Sequence, residues 1–263
     1  MMSASWRKFI PCLCTCLALC AGVCSILAAG SGTAHHLLAA QLILVSLILD
    51  GLDGTLARLL KGQSEFGGEL DTFVDITSFG IAPAVLLYFH PGGLSEVPVW
   101  GWVMACLIVV SGASRLSRFR VVDPYRGQRG YLGLPITGAA GFVATYIIAL
   151  NSPPSSAMPW LSLRSGPLAA GFWVALLLML WLQVSHVRYG KPTKNPKIFI
   201  PFLLLLMMLF VPAAALYSAA LMFIYSLWYT FVSPFFFHRF LMHLPPLEEE
   251  PVLDDGKDGD SMP

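Results

Sequence analysis

Residues 50–75 read DGLDGTLARLLKGQSEFGGELDTFVD, and they set Asp50, Asp53, Asp71 and Asp75 inside sequence otherwise apolar enough for a membrane. The flanks are LLAAQLILVSLIL before and ITSFGIAPAVLLYF after, and such runs favour helix. On helices, Asp50 and Asp53 are three apart and Asp71 and Asp75 four apart, so each pair shares a face. A carboxylate at mid-membrane costs about 2.5–3.5 kcal/mol on insertion scales, and four together also repel one another. Something must neutralise them. Divalent cations are the natural partners, and hard oxygen ligands on two facing helices suit Mg²⁺ or Mn²⁺. The pattern therefore predicts a site for two divalent ions.

The rest of the chain agrees with a membrane setting. It has 263 residues, 56% of them hydrophobic and 12% charged, with mean hydropathy +0.70, which predicts an all-α polytopic membrane protein. About eight spans are expected, near 9–29, 35–60, 69–89, 98–119, 132–150, 167–186, 197–211 and 213–236. The apolar run containing the last two is too long for one crossing, and Pro212 marks the break between them. WRK followed by an apolar run and LAAGSG has the outline of a secretory leader, but the spans that follow favour a retained first helix. Cys12, Cys14, Cys16, Cys20 and Cys24 all fall in that helix with no His or carboxylate beside them. That arrangement predicts helix packing rather than zinc or disulfides.

Positive charge sets the orientation. With the N-terminus cytoplasmic, fifteen Lys and Arg fall in one set of loops and only Arg164 in the other. The acidic stretch then sits at the cytoplasmic ends of spans two and three. Two units are expected: a membrane domain over 1–240, and an acidic, disordered tail over 241–263 carrying seven Asp and Glu. Lys191, Lys194 and Lys197 are expected to meet anionic lipid.

Three other accounts of the acids compete. LDGTL has the look of a phosphatase DxDGT motif, but two residues separate Asp50 from Asp53 and a membrane helix replaces the strand. A cation or proton transporter explains intramembrane carboxylates, yet gives no role to Gly54, Ala57, Arg58 and Gly67. Structural ion pairs would need partners, and only Arg58 is at hand.

The spacing Asp50-x-x-Asp53-Gly54-x-x-Ala57-Arg58, eight residues, Gly67, three residues, Asp71, three residues, Asp75 resembles the signature of the CDP-alcohol phosphotransferases, and every fixed position matches. ITSFGIAPAVLLY, SRLSRFRVVDPYRGQRGYLGLPITGAAG and LQVSHVRYGKPTKNPK resemble segments of its bacterial phosphatidylserine synthase branch. The resemblance implies transfer of phosphatidyl from CDP-diacylglycerol to L-serine with release of CMP, in the cytoplasmic membrane, by a homodimer, with no nucleic acid involved. Choline, inositol or glycerol 3-phosphate are the alternative acceptors.

Carried over by position, the resemblance makes Asp50, Asp53, Asp71 and Asp75 the metal ligands and Asp75 also the base for the serine hydroxyl. Gly54, Ala57, Arg58 and Gly67 line the CDP site. The two glycines and Ala57 give close approach, Gly67 from the turn between helices, and Arg58 forks onto phosphate. Ser78, Arg115 and Arg118 are candidates for holding acceptor or lipid phosphate, against bonding within their own helix for Ser78 and headgroup anchoring for the arginines. One departure stands out. The branch opens span one with PN-x-x-T-x-x-N, and here Pro11 and Thr15 are kept while Cys12 and Ala18 replace both amides.

Overall fold

The computed structural model describes residues 4–121, 131–152, 158, 161–190 and 203–236. Its helices are α1 (Ala4–Gly30), α2 (His36–Leu59), α3 (Glu65–Val74), α4 (Ala82–Phe89), α5 (Pro98–Val121), α6 (Ile136–Asn151), α7 (Pro167–Val184) and α8 (Pro212–Phe231). Helix α3 runs without a break through a π-helical segment, Asp75–Ile81, into α4. The chain is a multi-pass membrane protein. Six described helical stretches are long and apolar enough to cross a membrane, at Trp6–Gly30, Thr33–Leu59, Glu65–Phe89, Pro98–Arg118, Pro167–Val184 and Pro212–Phe231.

Six of the eight expected spans coincide with these stretches. The span expected at 132–150 is α6, only 16 residues long, with 11 of them buried. It is the enclosed centre of the bundle, sheathed by its neighbours instead of lipid. Phe142 and Tyr146 on α6 stack on Phe172 of α7 at ring separations of 5.1 and 4.4 Å, and Phe142 stacks on Phe223 of α8 at 4.7 Å. The span expected at 197–211 lies largely outside the described residues; within them, 203–208 are helical, and Pro212 opens α8 as expected. The acidic tail and Lys191, Lys194 and Lys197 also lie outside the described residues.

The π segment departs from the plain helix expected over 69–89. Pro83 cannot donate to the carbonyl four residues back and its ring crowds it, and the helix takes up the mismatch by widening just before it, Ala82 N–H reaching Thr77 O.

Helix α1 is the wedge of the bundle. Pro11, Thr15, Ala18, Gly22, Ser25 and Ala29 form one buried row along it, spaced by fours and threes as a single helical face requires. Small residues there let backbones close in. Ser46 Oγ of α2 donates to Ala18 O at 2.9 Å, and Ser25 Oγ donates to Ala39 O at 2.8 Å. The cysteines do not follow the packing expectation. Cys12 and Cys14 are half-buried, while Cys16, Cys20 and Cys24 are exposed on the outer face, and all are free thiols. The spacing puts Cys16, Cys20 and Cys24 opposite the buried row.

One strand pair departs from the all-helical expectation. Tyr131–Leu132 pairs antiparallel with Arg188–Tyr189, Tyr131 opposite Tyr189. It ties the entry of α6 to the exit of α7, and Tyr189 Oη donates to Thr230 O of α8 at 3.1 Å. At the opposite end, Arg164 pairs with Glu96 at 3.3 Å.

Candidate active site

The acidic residues sit where α2 ends and α3 begins. Helix α2 stops in a Schellman turn: Gly62 N–H donates to Ala57 O at 2.9 Å and Lys61 N–H to Arg58 O at 3.3 Å, with Lys61 left-handed at φ 50°. Glycine is the usual residue at that left-handed position, yet here it comes one place later. The reason is α1. Pro11 cannot fill the Arg7 carbonyl, and Gly62 lies against that carbonyl so closely that a Cβ would be 2.6 Å from its carbon. Helix α3 then starts at Ser64, whose Oγ accepts from Gly67 N–H at 3.1 Å. Gly67 is thus inside the first turn of α3, a correction to its expected place in the loop, and it is the Ser64 cap that draws it in.

This short reversal brings the two acidic faces together. One carboxylate oxygen from each of Asp50, Asp53 and Asp71 lies within 4.8 Å of the others. Octahedral ligands at about 2.1 Å from one ion are up to about 4.2 Å apart, so modest side-chain adjustment suffices to share a divalent cation. The donor set is all hard oxygen. Asp53 is the buried member, 6% exposed, and its Oδ2 accepts from the Thr15 hydroxyl at 2.5 Å. Asp75, one turn beyond Asp71, opens into the same cavity as Asp50 and Asp71. Arg115 from α5, 6% exposed, is the cation that faces Asp75 and Asp50.

The cavity has a volume of about 570 Å³. Its acidic wall is Asp50, Asp71 and Asp75, with Gly51 and Gly68 beside them; a Cβ at either glycine would meet nothing within 4 Å. Opposite stand Arg115, Tyr131, Tyr225 and Tyr229. The Arg115 guanidinium lies 5.7 Å from the Tyr131 ring centre, a cation–π distance. Burial pushes the Tyr131 phenol above its ordinary pKa, against the pull of Arg115, so it keeps its proton at neutral pH. Away from the charges the lining turns apolar and small, through Leu44 and Leu47 of α2, Gly138 and Gly141 of α6, and Met222 of α8. One cavity therefore joins a carboxylate cluster to a greasy floor.

The other expected residues fall in different places. Gly54, Ala57 and Arg58 follow Asp50 and Asp53 along the same side of α2; Arg58 is exposed and folds back, Nη2 donating to Thr55 Oγ1 at 3.3 Å. Ser78 is fully buried and does not line the cavity. Its hydroxyl donates to Ala18 O at 3.4 Å, because the wide π turn carries it further round from Asp75 than three residues of α-helix would. Arg118 donates to the Val184 carbonyl, with Ser185 O at 3.5 Å, and so ties α5 to the end of α7. Of these three, only Arg115 reaches the cavity. Gly51, Gly68, Tyr131, Tyr225 and Tyr229 carry no sequence expectation, and Thr15 carries one only as a retained motif position, with no role attached. A polar Thr on the small-residue face of span one is a readable signal, whereas tyrosines brought in from distant elements leave none.

Comparison with known proteins points the same way. The model of the family described as CDP-alcohol phosphatidyltransferase matches residues 8–232. A protein of Helicobacter pylori J99 named CDP-diacylglycerol--serine O-phosphatidyltransferase is 33% identical over 202 residues, 76% of this chain and 81% of its own. Proteins with the same name from Mycobacterium leprae and Methanocaldococcus jannaschii are 32% and 34% identical, over 88% and 61% of this chain and 75% and 66% of theirs.

Proposed function

The chain belongs to the CDP-alcohol phosphatidyltransferase family, and from that premise we propose that it transfers the phosphatidyl group of CDP-diacylglycerol to L-serine, giving phosphatidylserine and CMP. The observation that carries the proposal is the single cavity with carboxylates at one end and apolar, glycine-floored walls at the other. A lipid nucleotide has that same division between charged diphosphate and acyl chain. The relatives' printed names supply the acceptor.

In this proposal Asp50, Asp53, Asp71 and Asp75 hold two divalent ions, Mg²⁺ or Mn²⁺. Bound there, the ions stabilise negative charge on the attacking and leaving oxygens of an in-line displacement. Gly54, Ala57 and Gly67 leave room for the cytidine nucleotide along α2 and α3, and Arg58 swings from Thr55 to phosphate. Arg115 holds the serine carboxylate, which sets the serine hydroxyl beside Asp75. Asp75 takes the hydroxyl proton as the serine oxygen bonds to the phosphorus bearing diacylglycerol. The anhydride bond to CMP breaks in the same displacement. Burial of Arg115 against the protonated Tyr131 keeps water from competing for the carboxylate. The enzyme is placed in the cytoplasmic membrane with this end facing the cytoplasm, as the fifteen-to-one charge asymmetry supports, and works as a homodimer.

The test is CMP release by purified protein given CDP-diacylglycerol, a divalent metal, and serine, choline, inositol or glycerol 3-phosphate in turn. Release that requires L-serine and disappears in Asp75→Asn is expected. Release with another alcohol alone would overturn the acceptor, and a mass of one chain in mild detergent would overturn the dimer.

A further inference from the structure

Thr15 lies in α1, well away in sequence from the four aspartates, and its side chain is 3% exposed. Its hydroxyl is 2.5 Å from Asp53 Oδ2 and 3.0 Å from Pro11 O. A hydroxyl has one proton to give, and the shorter contact is with the carboxylate, where a charge-assisted bond is also the stronger. Pro11 O is the ordinary helical acceptor for a residue four places on, so the contact with it turns the Thr15 side chain in the direction that Asp53 requires. A planar carboxylate with one oxygen pinned has its other oxygen aimed as well.

We infer that Thr15 is a positioning residue for the metal site: by fixing the rotation of Asp53 it presets that ligand, and span one thereby becomes part of the site although it supplies no ligand. The inference rests on the proposed role of the acidic cluster as a divalent-ion site. Asp53 has need of such a partner. It is the least exposed to solvent of the three clustered acids, 6% exposed, and besides the adjoining Gly54 N–H its hydrogen-bonding partner is the Thr15 hydroxyl, the one that comes from another helix. The rest of the α1 row explains why Thr15 can be relied on for position. Gly22 lies against Ser78 without a Cβ between them, so the second turn after Thr15 is packed directly against the π segment. Partners that orient a metal ligand are commonly worth tenfold to a hundredfold in metal affinity.

The experiment is direct Mn²⁺ binding to the full chain in detergent, read from the electron paramagnetic resonance signal of unbound Mn²⁺, with no substrate present. Four proteins are compared: wild type, Thr15→Val, Thr15→Ser and Ser46→Ala. Thr15→Val keeps the shape and removes the hydroxyl, and it is expected to bind Mn²⁺ about tenfold or more weakly. Thr15→Ser restores a hydroxyl and is expected to stay within about threefold of wild type, on the same scale. Ser46→Ala removes a hydrogen bond between α1 and α2 away from the acids, and is expected to bind as wild type does. Equal binding by wild type and Thr15→Val overturns the inference. So does weakening in Ser46→Ala to match, because loosening of α1 would then account for everything. Should Thr15→Val fail to fold, Thr15→Ala adds no bulk and is scored by the same criterion. A wild type that binds no Mn²⁺ would sink the metal-site reading itself, a failure distinguishable from the loss of Thr15's role alone.

Discussion

Gly22→Ala tests how closely α1 is wedged into the bundle. A Cβ at this position would lie 2.9 Å from Ser78 Cβ and 3.0 Å from Ser78 Cα, and closer still to Ser78 Oγ. Carbon pairs rest at about 3.5–4.0 Å, so α1 and the π segment must part by roughly 0.5–1 Å to admit one methyl group. A gap of that size forfeits about a quarter to a half of each facing contact. The obstacle includes backbone, which cannot swing aside as a long side chain would, and this puts the cost toward the upper part of the roughly 1–3 kcal/mol range for overpacking. At about 2–4 °C per kcal/mol for a chain of this size, the melting temperature in detergent should drop by roughly 4–10 °C. Gly30→Ala is the control: the same helix and the same added methyl, but nothing within 4 Å of it. Thermal unfolding followed by tryptophan fluorescence compares the two. If Gly22→Ala melts within a degree or so of Gly30→Ala, the close approach of α1 to Ser78 is wrong.

Three further outcomes follow from the site and from the opposite end of the bundle. Arg115→Lys keeps the charge but loses the planar fork, so KM for serine should rise about tenfold, with a smaller change in kcat; a change confined to melting temperature would remove Arg115 from the acceptor site. Gly141→Leu projects into the apolar floor, where the nearest neighbour of a Cβ is Leu47 Cδ1 at 4.0 Å. It should penalise long-chain CDP-diacylglycerol more than a short-chain donor, and equal losses would mean that the floor does not take acyl chain. His90 is 7% exposed, with its ring 5.2 Å from that of His36, and burial pushes its pKa down to about 4. An unfolded histidine titrates near 6.5, so the stability His90 confers is complete above about pH 6.5 and drains as pH falls toward 4. Between pH 7.5 and 5 the loss is on the order of 2 kcal/mol. His90→Gln should flatten the acid side of a plot of melting temperature against pH, and an unchanged slope would refute the assignment.

What the sequence disclosed and what it withheld divide along a physical line. The acidic stretch was legible because its constraints are local: Asp50, Asp53, Asp71 and Asp75 declare themselves by helical spacing and by the cost of charge among apolar residues. Hydropathy likewise located six of the membrane-crossing stretches within a few residues. It located α6 as well, though not that this helix is short and enclosed by protein, since a helix enclosed by protein and a helix enclosed by lipid are equally apolar. Gly67 was misplaced by one turn because a Ser64 cap outweighs glycine's reluctance to enter a helix. Ser78 was misdirected because its face was read from the 3.6-residue period, which the π turn after Asp75 does not keep; Pro83, five residues on, was the visible warning.

Thr15 is the instructive case, marked in the sequence as a retained position but given no role there. In a soluble helix a threonine among small residues has water as a partner and carries no message. Span one offers no water, so a hydroxyl there must give its proton to a carbonyl of its own turn or to a group on a neighbouring helix. Spacing selects between these fates. Thr15 shares its face with Pro11, Ala18, Gly22 and Ser25, the residues small enough to admit another backbone, so its hydroxyl points at whatever α1 packs against. The buried acid of the acidic stretch, Asp53, is the group that hydroxyl meets. The same logic accounts for Ser25 and Ser46, whose hydroxyls cross between α1 and α2 to carbonyls instead of acids. Polar residues on the small face of a membrane helix therefore report on the neighbour, and in this chain the one nearest the carboxylates meets one of them.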